Sequence, residues 1–242
     1  MHKAMLAGIG LAAVTISGCG RGHAEDSGPT VQKAYQVGAF DKIEVAGPFD
    51  VNVRTGANPS VSATGAQKLL DRLVVEVKGD KLVIHTEEHH GFFNWGFHSN
   101  GNATLAVTVP ALTGATIAGS GGITVDKVAG DSFEGGVAGS GDLTLDAVQV
   151  KSLKLSIGGS GDIAARSGQA QQADYHIAGS GGIDARGVQA QAATVAIAGS
   201  GSIHGQATGA AAVKIMGSGD VTMTGGAKCE ISKMGSGDVS CS

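Results

Sequence analysis

"AGSGDLTLDAV" (Ala138–Val148) decides the fold, because it is not alone. "AGSGGITVDKV" stands twenty residues before it and "GGSGDIAARSG" twenty after. "AGSGGIDARGV", "AGSGSIHGQAT", "MGSGDVTMTGG" and "MGSGDVSCS" follow. The seven GSG triplets begin at Gly119, Gly139, Gly159, Gly179, Gly199, Gly217 and Gly235, spaced by 20 residues four times and by 18 twice. A flexible linker keeps no such register, so GSG is a corner used once per turn of a repeat protein.

Counting from the first glycine of each triplet exposes the columns. Two residues before it stand Ile117, Val137, Ile157, Ile177, Ile197 and Ile215; four before stand Leu155, Tyr175, Val195, Val213 and Ile231. Four after stand Ile123, Leu143, Ile163, Ile183, Ile203, Val221 and Val239, and six after stand Val125, Leu145, Ala165, Ala185 and Met223. The residues between are mostly small or polar. This is strand alternation on both sides of the corner. One such strand pair cannot bury its apolar face, but repeats stacked at about 4.8 Å can. The reading is an all-β, single-domain parallel β-helix (a β-solenoid), right-handed by crossover preference, with 18–20 residues per repeat. Both glycines of the corner are expected to point inward and the serine outward.

Composition agrees. There are 41 glycines but four prolines, and glycine has no three-residue period, so collagen is excluded. Aromatics make up only 4%, so small side chains must fill the interior. A net charge of −4 without a basic cluster argues against a nucleic-acid partner.

Residues 1–19 read as an export signal: "MHK" gives a positive start and "AMLAGIGLAAVTI" an apolar run too short to span a bilayer comfortably. The run ends in "ISGC", which resembles a bacterial lipobox with Cys19 as the lipidated residue; an ordinary signal peptide is the plainer alternative. Gly20 follows, as in outer-membrane lipoproteins, and residues 20–34 read as a flexible tether. The remaining Cys229 and Cys241 suggest one disulfide in an exported protein, with two buried thiols as the alternative. They lie six before and six after the first glycine of the last GSG, so a disulfide would close the end of the solenoid. Lys233 interrupts an aliphatic column there, which suits a terminal coil meeting water.

Residues 35–110 lack GSG but alternate in "FDKIEVAGPFDVNVRTG", "RLVVEVKGDKLVIHTEE" and "ATLAVTVPAL". "KGDK" is a tight turn, and "ATGAQKLLDRL" can hold one helical turn. These are irregular first coils or a capping layer of one 35–242 domain whose regular part is 111–242. "FDKIEVAGPFDVNV", "VTVPAL", the repeated "GSGD" and the closing "KCEISKMGSGDVSC" together resemble the auto-transporter adhesin head, or GIN, domain family. The resemblance implies a β-helical domain on exported bacterial proteins, often lipoproteins. It carries over no catalytic residue.

Two sets of residues could carry chemistry. On the outward columns, Asp142 and Asp162 should be neighbours, as should Asp220 and Asp238. Paired solvated carboxylates about 5 Å apart repel by roughly 1 kcal/mol, which a Ca²⁺ ion would relieve. The plainer reading has each aspartate capping its own turn. Asp126, Asp146, Arg166 and Arg186 form the next column, with Asp146 beside Arg166 as a surface ion pair. Asp184 falls beside His204, which an enzyme could use for acid–base work and an inert surface could leave solvated. The second set is "HTEEHHGFFNWGFHSNGN", where Phe92, Phe93, Trp95 and Phe97 crowd into six residues near His85, His89, His90 and His98. The loop could stack on a glycan, touch a membrane, bind metal, or cover a bare flank of the solenoid. Its histidine spacing matches no zinc pattern.

The sequence therefore reads as a non-enzymatic envelope lipoprotein of the outer membrane, facing periplasm or cell surface, that presents a β-helix to a glycan or protein partner. A polysaccharide-lyase-like enzyme and a purely structural envelope module are the alternatives. No resident cofactor or metal is expected beyond the calcium just weighed.

Overall fold

A computed structural model describes residues 28–87 and 103–242. Its strands in chain order are β1 (Thr30–Tyr35), β2 (Lys42–Ala46), β3 (Phe49–Thr55) and β4 (Ser60–Ala66), then the short helix α1 (Gln67–Asp71). After it come β5 (Leu73–Lys78), β6 (Lys81–Thr86), β7 (Ala103–Val109), β8 (Gly114–Gly119), β9 (Gly122–Gly139) and β10 (Asp142–Gly159). The chain continues through β11 (Asp162–Ala165), β12 (Gly168–Gly179), β13 (Gly182–Gly199), β14 (Ser202–Ala207) and β15 (Ala210–Gly217). It ends in β16 (Asp220–Thr224), β17 (Lys228–Met234) and β18 (Val239–Cys241).

From β8 onward every pairing is parallel and the register follows the repeat: Gly119, Gly139, Gly159, Gly179, Gly199 and Gly217 stack one on the next. The result is a β-solenoid of about six turns. Each regular coil has a broad face ending at GSG, as in Ser152–Gly159. A second face follows, as in Asp162–Ala165, and then a narrow third face, as in Gly168–Ala170. The 18-residue coils shorten that third side, and the register slips between Ala185 and Gln189 where β13 meets β14.

The predicted inward columns form the core. Ile117, Val137, Ile157, Ile177, Ile197 and Ile215 are each at most 3% exposed, and apart from tyrosine no polar or charged residue is buried among the described residues. At about 25 cal/mol per Å² of apolar surface, this repeated burial is the main force holding coil to coil. The few bulky core residues are matched by small ones. A Cβ on Gly135 would strike Leu143 and Leu155, with the Phe133 ring next nearest. A Cβ on Gly205 would come within 3.2 Å of the Tyr175 ring and 3.0 Å of Met223 Sδ.

The corner glycines are needed for a different reason from the one the alternation predicts. The first glycine of each triplet has φ between +130° and +143°, and a Cβ there would meet backbone of the coil before it. The clash is along the solenoid axis, not into the interior. The second glycine of the later triplets does face the core: a Cβ on Gly161 would strike the Gly141 carbonyl and reach Val137 Cγ1 at 2.8 Å. The serine is exposed.

The first part of the chain stacks out of order. β2 lies between β6 and β8, and β3 between β7 and β9, all parallel. The chain thus lays down its second coil first, runs outward, builds the coil beneath it and then returns. On the outer side the pairing turns antiparallel: β4 on β7, β1 on β4, and β5 on β6 through the tight turn at Gly79. The expected helical turn is α1, which buries Leu69 and Leu70 at this end. Residues 30–34, read from sequence as the end of the tether, belong to β1. The opposite end is closed by the Cys229–Cys241 disulfide between β17 and β18. Lys233 follows Ile215 in register and donates to the Gly237 carbonyl at 2.7 Å, an inward charge where another coil would need an aliphatic residue.

Candidate functional site

The second face carries most of the residues singled out from the sequence. Asp142 and Asp162 are register partners, as predicted. Neither carboxylate caps its own turn. Asp142 Oδ1 accepts the amide of Asp162 at 3.2 Å, and Asp162 Oδ1 accepts the amide of Gly182 at 2.8 Å. Asp220 Oδ1 accepts the amide of Asp238 at 2.9 Å. Each aspartate therefore holds the backbone of the next coil at the residue directly above it.

The coils without such an aspartate show what it replaces. Above Gly122, Gly182 and Ser202 the corresponding amides, of Asp142, Ser202 and Asp220, bond to the carbonyls of Gly121, Gly181 and Gly201. The corner thus has two interchangeable acceptors, a glycine carbonyl or a carboxylate one residue on. One oxygen of each carboxylate thus serves the backbone of the next coil, which gives the aspartate a structural role that needs no cation. Among the described residues no cluster of three or more His, Cys, Asp and Glu is placed to hold a metal.

In the next column the expected ion pair forms: Arg166 reaches Asp146 at 2.9 Å, and both are exposed. An exposed pair of this kind contributes about 0–1 kcal/mol. Asp126 is engaged by the amide and hydroxyl of Thr55 at 3.0 and 3.1 Å, which ties β3 to β9. Asp184 is the register partner of His204, as predicted. Its carboxylate, however, is gripped by Arg186 two residues on, with Nε at 2.9 Å and a second guanidinium nitrogen on the other oxygen. Arg186 holds the Asp184 carboxyl below the usual carboxylate range, with a smaller contribution from His204. A carboxylate kept ionised by a bidentate arginine is a weak proton acceptor, and no hydrogen bond joins Asp184 to His204.

Cys19 and the aromatic segment with Phe92, Phe93, Trp95, Phe97, His89, His90 and His98 lie outside the described residues. The described residues on either side of this segment, β6 and β7, lie in register with β2 and β3, which flank the Gly47 corner. His85, at the near side, sits 3.3 Å from Glu76.

One further set of residues lies outside the columns that the GSG alternation marks. Gln149, Gln169, Gln189 and Gln206 are register partners and the outward side chains of the narrow third face. The signal was present as the recurrence of glutamine ten residues after the GSG glycine in three successive repeats. Between two inward residues on a three-residue side, it had no alternation long enough to mark it.

The family described as "Putative auto-transporter adhesin, head GIN domain" matches residues 39–227, and the chain belongs to this family. A "putative adhesin" from Bacteroides fragilis has the same fold, with a TM-score of 0.80 and 22% identity over 88% of this chain and 97% of that one. A "putative lipid binding protein" from Parabacteroides distasonis superposes with a TM-score of 0.68 and 27% identity, over 89% of this chain and 97% of that one. A "putative adhesin" from the same organism gives 0.66 and 20%, over 89% and 98%. No curated protein matches the chain.

Proposed function

We propose, with membership of the GIN domain family as the premise, that this chain is a non-enzymatic adhesive or scaffolding head. It is exported and held to the outer membrane through a lipid on Cys19. The observation that supports this best is the register of the coils. The same outward positions recur at a constant step of about 4.8 Å, on a scaffold fixed by its own core. Such a surface offers many similar contacts to an extended partner instead of one convergent pocket. The paired state of Asp146 with Arg166 and of Asp184 with Arg186 fits a surface that is not required to do proton chemistry.

Retention of exported protein carrying Cys19→Ser on glycans, sacculi and outer-membrane fragments tests the adhesive role. A Trp95→Ala/Phe97→Ala variant runs alongside. Saturable retention is expected, measured with and without calcium. Loss in the variant assigns the contact to the aromatic segment. No saturable retention on any of the three materials sinks the adhesive reading. Labelling with a fatty-acid analogue tests the anchor: label lost on Cys19→Ser supports it, and an unlabelled parent chain refutes it.

A further inference from the structure

We infer that the glutamine comb Gln149–Gln169–Gln189–Gln206 is a docking line for an extended, uncharged polysaccharide chain. This rests on the adhesive reading and names the ligand class and the face. The four side chains stand in one column at intervals of about 4.8 Å. Gln149, Gln169 and Gln189 are exposed, while Val148, Val150, Ala170, Val188 and Ala190 beside them are buried in the core. None of the four amides makes a hydrogen bond with any described residue, although glutamines stacked in this way could bond along the column. Each leaves a carbonyl acceptor and two N–H donors open to a partner.

The chemistry of the surroundings selects the partner. The cations nearest Gln149, Gln169 and Gln189 in sequence are already paired: Lys151 with Asp131 at 2.7 Å, Arg166 with Asp146, and Arg186 with Asp184. A polyanion would have to displace these contacts, whereas an uncharged polymer need not. Amides that both donate and accept match hydroxyls that do the same. The geometry argues against a second copy of the chain. The third face is three residues wide with one outward side chain per coil, so comb-to-comb contact would bury far less than the roughly 1,000 Å² a stable protein interface needs. A polysaccharide chain is itself one sugar wide and meets the comb along its whole length.

The substitution Gln→Ala is structurally mild here, because Ala129 already occupies this column one coil earlier. The full-length chain in detergent is therefore compared with Q149A/Q169A/Q189A and with Q169A. Sedimentation uses an insoluble neutral β-glucan, with immobilised polygalacturonate as the anionic control. The expected result is saturable binding to the glucan but not to polygalacturonate. Affinity should fall at least about tenfold in the triple variant, the size of one to two ordinary hydrogen bonds, and by less in Q169A. Circular dichroism confirms the fold of both variants. Glucan binding unchanged in the triple variant overturns the comb and leaves the adhesive reading standing. No binding to the glucan also overturns it, with sacculus retention deciding the adhesive reading separately. A concentration-dependent dimer that disappears in the triple variant overturns it too, by making the comb a contact between copies.

Discussion

The two parts of the stack reach the same cross-section by different routes. From Gly114 onward each coil follows the last, and the sequence repeats because each coil must satisfy the same neighbours. Before Gly114 the β2–β3 coil is sandwiched between segments that come later in the chain. Its corner is Gly47-Pro48-Phe49, whose Gly47 accepts the amide of Gly121 and donates to the Ala118 carbonyl. The comparison shows what the fold requires. Aliphatic alternation and one glycine at the corner are needed in both parts, whereas the GSG triplet belongs to coils stacked directly on an earlier corner, whether Gly47-Pro48-Phe49 or another GSG. At Gly121 a Cβ would strike the Phe49 backbone, and in later coils it would strike the preceding glycine carbonyl. Phe49 instead follows Ala103 in register and is fully buried.

The comparison breaks most visibly at the first corner glycine. Gly159 and Gly130 share φ of +138°. A Cβ on Gly159 lands on the Gly139 backbone, whereas a Cβ on Gly130 meets nothing within 4 Å. Gly130→Ala should carry only backbone strain, about 1–2 kcal/mol, and Gly159→Ala should exceed roughly 4 kcal/mol. Gly47→Ala should fall between them, because its Cβ would meet the Phe49 ring at 2.9 Å, a side chain that can shift. Urea unfolding of the three variants gives the order. Equal losses would mean that φ alone, and not stacking, selects glycine.

The same contrast explains what the sequence could reveal. The inward columns from Ile117 to Val239 were legible because their neighbours in space are their neighbours in the repeat. The folded-back order was not, since alternation in β2, β3, β6 and β7 says which face is buried but not which strand lies beside which. One clue was available: "VAGPFDVNV" (Val45–Val53) aligns with "IAGSGGITV" (Ile117–Val125) residue for residue, and the two stack directly. On the second face, the repeat spacing sets Asp142 beside Asp162 and Asp184 beside His204. It did not reveal which partner each carboxylate takes, because Arg186 and the amides compete within a few ångströms of the same oxygens.

The ends of the stack offer the next test. The early end carries three antiparallel strands and α1, while the late end has one disulfide closing a 12-residue separation. Cys229→Ala/Cys241→Ala should cost about 3 kcal/mol by loop-closure entropy. Coils interact mainly with their neighbours, so the loss should be local. Hydrogen exchange should quicken in β17 and β18 and stay unchanged in β9 and β10. Uniform quickening across the stack would show that the coils unfold as one unit.

A smaller effect separates the two kinds of corner. Asp162→Ala removes the acceptor of the Gly182 amide. The loss should be about 1 kcal/mol or less, because the Gly161 carbonyl can take over as the Gly181 carbonyl does for Ser202. Asp162→Asn keeps an oxygen acceptor and should lose less still. The Gly182 amide, followed by hydrogen exchange, reports both. Unchanged protection in Asp162→Ala would mean that the carboxylate adds nothing to the corner.

The smallest effect at neutral pH concerns the core of the regular part. Tyr175 is fully buried, and its hydroxyl finds no partner among the described residues. Tyr175→Phe removes an unsatisfied polar atom and should leave stability unchanged or raise it by up to about 1 kcal/mol. The variant should separate from the parent in alkali. Burial, and then the charge of Asp174, raises the Tyr175 phenol above its ordinary value of 10.0. The unfolded chain ionises first, so it binds fewer protons than the folded chain once pH passes about 10. The stability tied to this proton is complete below that pH and is lost progressively as pH climbs toward the raised folded value. Unfolding midpoints at pH 8 and pH 11 should therefore differ more in the parent than in Tyr175→Phe. An identical alkaline loss in both would show that the phenol is solvated in the folded protein. The hydroxyl would then have to reach water through the stacked core.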